Sequence, residues 1–396
     1  MGSYEVTTLS LGLLRPKLSP WFVLLVLLLF SALFLALSGC GKDNQGVSQG
    51  SGQGGSGFSD DTVRRLDAAI AKRMQENDLP GVVVGVWVPG EGEYVVARGK
   101  ANLRTGEKRD LGNPFRIGSI TKTFTATAVS QLVEEGKLSK NDKLSKWYPD
   151  FPNAEKITIE HLLRMQSGIV MPEGEPEQYS TTEEVIEGSA KQGIVFGTPG
   201  QRTEYSDINY ILLGEIISKV SGNDTGDQLT QTILKPLGMK NTSYPFNNDF
   251  NNLPGDLHGY TLDLSTGELK DAPSLPLAPV GAAGAMISDV SDLKTWAKAV
   301  CTGKLLKPET QKARLQTQHI SGEPDFAEYG EGIMKMGEFC GHPGIQPGFN
   351  SQMWYLPGKD ATIIVNVNRF DPSAPPSAVV LFETITKILF PKYVEW

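Results

Sequence analysis

The passage that most constrains this chain is Phe115-Arg-Ile-Gly-Ser119-Ile-Thr-Lys122, a short strand that runs straight into a helical pattern ending near Glu135. Phe124, Ala126, Ala128, Val129, Leu132 and Val133 mark that helix for burial. Its first turn carries polar groups. A serine three residues before a lysine shares a helix face with it, so Ser119 Oγ and Lys122 Nζ can meet as a nucleophile beside a base. At the first turn the positive end of the helix opposes an ammonium, and burial does the same. Both push the lysine towards the neutral amine a base needs. The free N–H groups of that turn can hold an oxyanion.

Spacing alone does not make a site, since chance supplies on the order of one Ser-x-x-Lys in a chain this long. Ser291-Asp-Leu-Lys294 repeats the spacing. There the serine reads as the N-cap of an amphipathic helix over 292–300 with its lysine on the wet face, so Ser119 is the candidate nucleophile.

The front of the chain reads as an address. Arg15 and Lys17 precede an uncharged apolar run over 21–39, suited to a membrane helix or to a secretion signal. Leu37-Ser-Gly-Cys40 resembles the bacterial lipobox, in which the cysteine becomes the lipidated first residue. The other reading is a retained single-span anchor, and both place the rest outside the cytoplasm. We therefore expect a lipoprotein signal segment at 1–40, a flexible linker at 41–58 rich in Gly, Ser and Gln, a catalytic domain at 59–390 and a short tail at 391–396. The net charge is −8, and loss of the signal removes Glu5, Arg15 and Lys17 and leaves the chain acidic. That argues against nucleic acid and against charge attraction to anionic lipid. If Cys40 is lipidated, Cys301 and Cys340 remain as a possible disulfide in an oxidising compartment, or as two buried thiols.

A helix is expected over 60–77, then a hairpin of β-branched strands at 81–88 and 94–103. From 139 to about 280 the pattern is mostly short helices and loops, including a helix at 208–220. Strand character resumes at Tyr329-Gly-Glu-Gly-Ile-Met334 and is clear at 351–356 and 361–367, and a helix over 376–390 follows. Strands at both ends around a helical middle imply an α+β fold: one antiparallel sheet from both chain ends, flanked by helices, with an inserted helical part.

Two more stretches carry polar groups in unusual settings. Thr203-Glu-Tyr205-Ser206-Asp207 precedes a helix, and Gly341-His342-Pro343-Gly344-Ile345 sets one of four histidines among glycines. With Ser119 and Lys122, in this order, they resemble the serine β-lactamase and penicillin-binding protein superfamily, closest to the branch of class C β-lactamases, D-alanyl-D-alanine carboxypeptidases and related esterases. The resemblance spans about 59–390 and includes Gly136-Lys-Leu-Ser139 and Pro236-Leu-Gly-Met239. It implies Ser119 as the acylated nucleophile, Lys122 as its base and Tyr205 as a proton shuttle. It also implies an oxyanion hole from the Ser119 and Ile345 N–H groups, and substrate contacts at Asp207, His342 and Gly344. No metal or cofactor is implied, and the substrate would be a small molecule or a peptidoglycan peptide.

Two positions depart from the family pattern. Asp207 stands where Asn is usual, and a carboxylate beside Lys122 favours its ammonium, which leaves a Tyr205 phenolate as an alternative base. Pro343 stands where Thr often binds a substrate carboxylate, and His342 replaces a lysine, with an unperturbed imidazole only partly charged near neutral pH. The expectation is a D-alanyl-D-alanine carboxypeptidase-like enzyme or an esterase or D-amino-acid amidase, with poor hydrolysis of penicillins, only modest carboxypeptidase activity, and esters or D-amino-acid amides favoured. The remaining readings are a β-lactamase, a non-catalytic penicillin- or cell-wall-binding lipoprotein, and an α/β-hydrolase built on Gly46-Val-Ser48-Gln-Gly50, which has neither strand nor helix beside it.

Overall fold

The computed structural model describes residues 57–173, 178–193, 196–245, 253, 255–272 and 278–394. Cys40, the linker up to residue 56 and the Gly46-Val-Ser48-Gln-Gly50 stretch lie outside them. The first helix is α1 (Asp60–Glu76), whose N-cap Ser59 accepts from Thr62 N with Asp60 and Asp61 in the first turn. The hairpin β1 (Gly81–Val88) and β2 (Gly92–Gly99) follows, then β3 (Phe115–Arg116) and α2 (Thr121–Glu134). The middle holds α3 (Ile159–Leu163), α4 (Thr182–Gln192), α5 (Ile208–Ser221), α6 (Thr225–Leu229) and α7 (Lys235–Leu237). A small hairpin, β4 (Tyr260–Leu262) and β5 (Leu269–Asp271), also lies there and was not expected. Then come α8 (Gly281–Gly284), β6 (Ile287–Ser288), α9 (Val290–Thr302) and α10 (Pro308–Arg314). The last third is β7 (Gln318–His319), β8 (Ala327–Tyr329), β9 (Met334–Met336), β10 (Phe339–Gln346), β11 (Phe349–Leu356), β12 (Ala361–Val367), β13 (Arg369–Phe370) and α11 (Ser377–Leu389).

One eight-stranded sheet runs β2-β1-β12-β11-β10-β9-β8-β7, every neighbour antiparallel, so both chain ends do build it. Strands β11 and β12 are buried along their whole length because helices cover both faces. On one face Trp354 stacks on Phe382 of α11, and α1 packs beside α11. On the other face α9 lies across β1, β10, β11 and β12, and Cys340 of β10 is bridged to Cys301 of α9. The open disulfide question is thereby answered.

The differences from expectation have local causes. Helix α9 starts earlier than its pattern indicates, because Asp289 in extended geometry caps it by accepting from Asp292 N at 2.8 Å. Ser291 is therefore an exposed residue inside the first turn and not the N-cap. Residues 329–334 are two short strands around a turn at Gly332 (φ 66) rather than one strand. Beyond Phe390 the chain stays on the body as the turn Pro391–Tyr393, with Val394 buried, where a tail was expected.

Replacing Cys301 and Cys340 together by serine is expected to lower the unfolding free energy by about 4 kcal/mol, the loop-entropy value for cysteines 39 residues apart. Urea unfolding measures it, and an unchanged midpoint would show that the bridge contributes no stability.

Candidate active site

Ser119 sits in the 3-10 turn Gly118–Ile120 that leads directly into α2. Strand β3 feeds this turn and is held by pairing with β6, Phe115 to Ser288 and Arg116 to Ile287. Gly118 has φ 53, and a Cβ there would fall 2.6 Å from Ile345 O; a Cβ on Gly344 would fall 1.9 Å from Ile117 O. The turn and β10 therefore meet backbone to backbone, which only glycine permits. Pairing of β10 with β9 stops at Gly341, so the strand edge beyond it is free to face the turn. Pro343 opposes Gln352 and Ile345 opposes Asn350 on β11. Proline is tolerated where no N–H enters the ladder, so Ile345, two residues on, points its N–H the same way, towards the Gly118–Ile120 turn.

Lys122 is fully buried. Its Nζ lies 2.8 Å from Ser119 Oγ, 2.7 Å from Ala283 O of α8 and 2.6 Å from Asp207 Oδ1 at the start of α5. As an ammonium it donates to Ser119 Oγ and Ala283 O and pairs by charge with Asp207 Oδ1. A neutral amine can keep its bond to Ala283 O and turn its lone pair on the serine hydroxyl. Burial lowers the Lys122 pKa, and the Asp207 charge and hydrogen bond oppose that shift. Desolvation is the largest influence, so the net shift is downward, towards the amine form, in spite of Asp207.

Tyr205 is hydrogen-bonded to Ser119, and its ring has Lys122 Nζ 5.1 Å from its centre. Burial, then the Asp207 charge, pushes its hydroxyl well above the ordinary tyrosine range against the Ser119 bond. The phenolate alternative is thus disfavoured. His342 is fully buried, with its ring centre 6.1 Å from that of Tyr205 and 5.8 Å from that of Tyr329. Its Nδ1–H donates to Pro343 O at 2.6 Å, which makes Nε2 an acceptor, and Nε2 has no partner among the described residues. Burial, then the Lys122 charge, holds the imidazole down to about 3. The expected partial charge near neutral pH is therefore corrected: this histidine is neutral.

The fold brings together Ser119, Lys122, Tyr205, Asp207, His342, Gly344 and Ile345. Ser291 is exposed on α9, and Lys294 covers the Trp87 ring at 4.7 Å, so that pair stands apart. Sequence reasoning missed the supports beneath α2. Glu331 is fully buried, accepting from Lys140 at 2.6 and 2.7 Å and from Arg164 at 2.9 Å. Arg314 donates to Glu331 O, Thr123 O and Thr127 Oγ1, clamping the same segment to α2. A Cβ on Gly332 would fall 2.3 Å from Ala126 Cβ and 2.9 Å from Lys122 O. The Tyr329-Gly-Glu-Gly332 spelling was the one available signal.

Comparison with known proteins agrees with this geometry. The sequence profile of the family described as Beta-lactamase matches residues 66–383. Protein flp of Staphylococcus aureus (strain MRSA252) is 30% identical over 337 residues, covering 78% of this chain and 64% of that protein. The chain thus spans under two thirds of that relative. Putative penicillin-binding protein PbpX of Bacillus subtilis (strain 168) is 32% identical over 300 residues, covering 74% of this chain and 72% of the relative. Among solved structures, a D-stereospecific amidohydrolase from Streptomyces sp. superposes with TM-score 0.70 at 28% identity, covering 83% of this chain and 97% of that one.

Two outcomes follow from the charges. Glu331→Gln takes a carboxylate from the half-buried Lys140 and from the buried Arg164, which keeps only the more exposed Glu160, and chemical denaturation should show a loss of up to about 3–5 kcal/mol. Asp207→Asn removes the two influences that raise the Lys122 pKa, so the pH at which kcat/KM rises as the amine forms should move down. An upward shift would show that Asp207 does not act on Lys122 in this way.

Proposed function

Because this chain belongs to the beta-lactamase family, we propose that it is an extracytoplasmic serine hydrolase that forms an acyl-enzyme on Ser119 and acts on esters and D-amino-acid amides. The observation that carries this reading is the buried Lys122 Nζ, 2.8 Å from Ser119 Oγ, donating to Ala283 O and held beside the Asp207 carboxylate. In the amine form Lys122 removes the serine proton as Oγ attacks the substrate carbonyl. The Ser119 and Ile345 N–H groups receive the oxyanion, each donor worth about 3 kcal/mol of barrier lowering. Tyr205, kept neutral, passes a proton to the departing alkoxide or amine, and water then releases the acyl group by the reverse relay.

Carboxylate substrates fit less well. Pro343 offers no hydroxyl, His342 offers no charge, and Lys122 has no donor to spare. One missing charge-assisted hydrogen bond is worth about 1.5–3 kcal/mol, or roughly 10- to 150-fold. A D-alanyl-D-alanine carboxypeptidase or β-lactamase activity would therefore be the weaker one. The Cys301–Cys340 bridge supports a compartment outside the cytoplasm, which agrees with the Cys40 lipobox and a lipid anchor in the cell envelope. Among the described residues no helix is long and apolar enough to cross a membrane, and the apolar run at 21–39 lies outside them.

Steady-state turnover of p-nitrophenyl esters should vanish in Ser119→Ala and stay near wild type in Ser291→Ala. Equal losses in both would assign the chemistry to the wrong serine. The ratio of D-alanyl-D-alanine peptide to ester turnover should be low and nearly flat from about pH 5 to 8, since His342 does not titrate there. A ratio that climbs on acidification would mean that His342 charges after all, and Pro343→Thr should raise it selectively.

A further inference from the structure

We propose that Asp207 makes this cleft a receptor for an ammonium group, so that preferred substrates carry a free protonated amine near the scissile carbonyl instead of an N-acyl group. The inference rests on the serine-hydrolase reading above and names the substrate class of that site.

The polarity of the groups around Ser119 points one way. Lys122 is fully buried and directs its Nζ at Ser119, Asp207 and Ala283, so it offers no cation to a ligand. His342 spends its N–H on Pro343 O and presents an acceptor, Nε2, that has no partner among the described residues. Gln346 gives its Nε2 to Gly284 O at 2.9 Å. Asp207 differs from these in exposure, because about a third of its side chain (32%) is open to solvent while Oδ1 holds Lys122. A carboxylate has two oxygens and about four lone-pair sites, and it cannot donate when ionised. A ligand group entering beside Asp207 must therefore bring the hydrogen itself.

An ammonium meets that demand better than any neutral donor, since charge-assisted bonds are about twice as strong as neutral ones. It also resolves a charge problem in the chemistry. Once Lys122 is an amine, Asp207 keeps its negative charge with no cation beside it. A substrate ammonium on the open side of Asp207 supplies that charge and weakens the hold of Asp207 on the lysine proton. An N-acyl substrate keeps one neutral N–H but brings no charge to Asp207, so it makes the weaker contact.

The test uses Ser119→Ala, which keeps the cleft and blocks turnover, with and without Asp207→Asn. Titration calorimetry compares D-phenylalanine amide with N-acetyl-D-phenylalanine amide. With Asp207 present the free amine should bind tighter by roughly 10- to 150-fold, the range for one charge-assisted bond. With Asp207→Asn that preference should collapse to near one or invert. Equal binding of the two ligands with Asp207 present, or a preference that survives Asp207→Asn, would overturn the proposal. Turnover of p-nitrophenyl acetate by the wild type, lost in Ser119→Ala, judges the hydrolase reading separately, so either can fail while the other stands.

Discussion

The contact on which the rest of the structure depends is the burial of a single lysine. Lys122 Nζ has no exposure to water and sits among Ser119 Oγ, Ala283 O and Asp207 Oδ1. A charge in such a place is costly, and the cost is what tilts the group towards its neutral form. Three distant segments must converge to build it. The Gly118–Ile120 turn brings the serine and α2 the lysine, α5 brings Asp207 at its start, and α8 brings the carbonyl. Helix α2 is accordingly buried from Thr121 to Ser130, and its polar threonines are satisfied internally. Thr125 donates to Ala282 O, Thr127 to Thr123 O, and Thr123 accepts from Trp296.

The sheet performs a second task, placing a backbone donor against the nucleophile. That needs the β10 edge and the Gly118–Ile120 turn closer together than any side chain would allow, and Gly118 and Gly344 supply the room. The closeness is held from outside by the Cys301–Cys340 bridge, which ties β10 to α9, and by Arg314 and Glu331, which tie the β8–β9 turn to α2. A buried carboxylate with its cations is weak evidence for stability as such. Here it joins Lys140 and Arg164 of the helical part to the segment that carries Tyr329, and Tyr329 in turn meets both Tyr205 and His342 edge-on.

What could be read from the sequence was mostly what is local. Ser119 and Lys122 are three residues apart on one turn, so their meeting follows from helix geometry alone. Tyr205 and His342 were legible only through the order in which motifs follow one another, because no spacing connects residues so far apart. Ala283 and Arg314 gave no signal, and Glu331 only the glycines that flank it, since each acts through a contact that exists only after folding. Strand β10 was legible only through the family resemblance: Phe339-Cys-Gly-His-Pro-Gly-Ile-Gln346 lacks alternation, and the glycines that obscure the strand are what let it approach the turn. The charge of His342 was misjudged for the same kind of reason. Its neighbours in sequence are those of a surface turn, whereas its neighbours in space are Tyr205, Tyr329 and Lys122.

The central claim is that this burial turns Ser119 into a nucleophile, and covalent trapping tests it most directly. Wild-type protein incubated with a slowly released acyl donor, such as a penicillin, is quenched in acid, weighed intact and digested for peptide mapping. The account predicts one added acyl group, on the peptide that carries Ser119, and no adduct when Lys122 is replaced by methionine. An adduct on another residue, Ser291 included, or full acylation without Lys122, would contradict it.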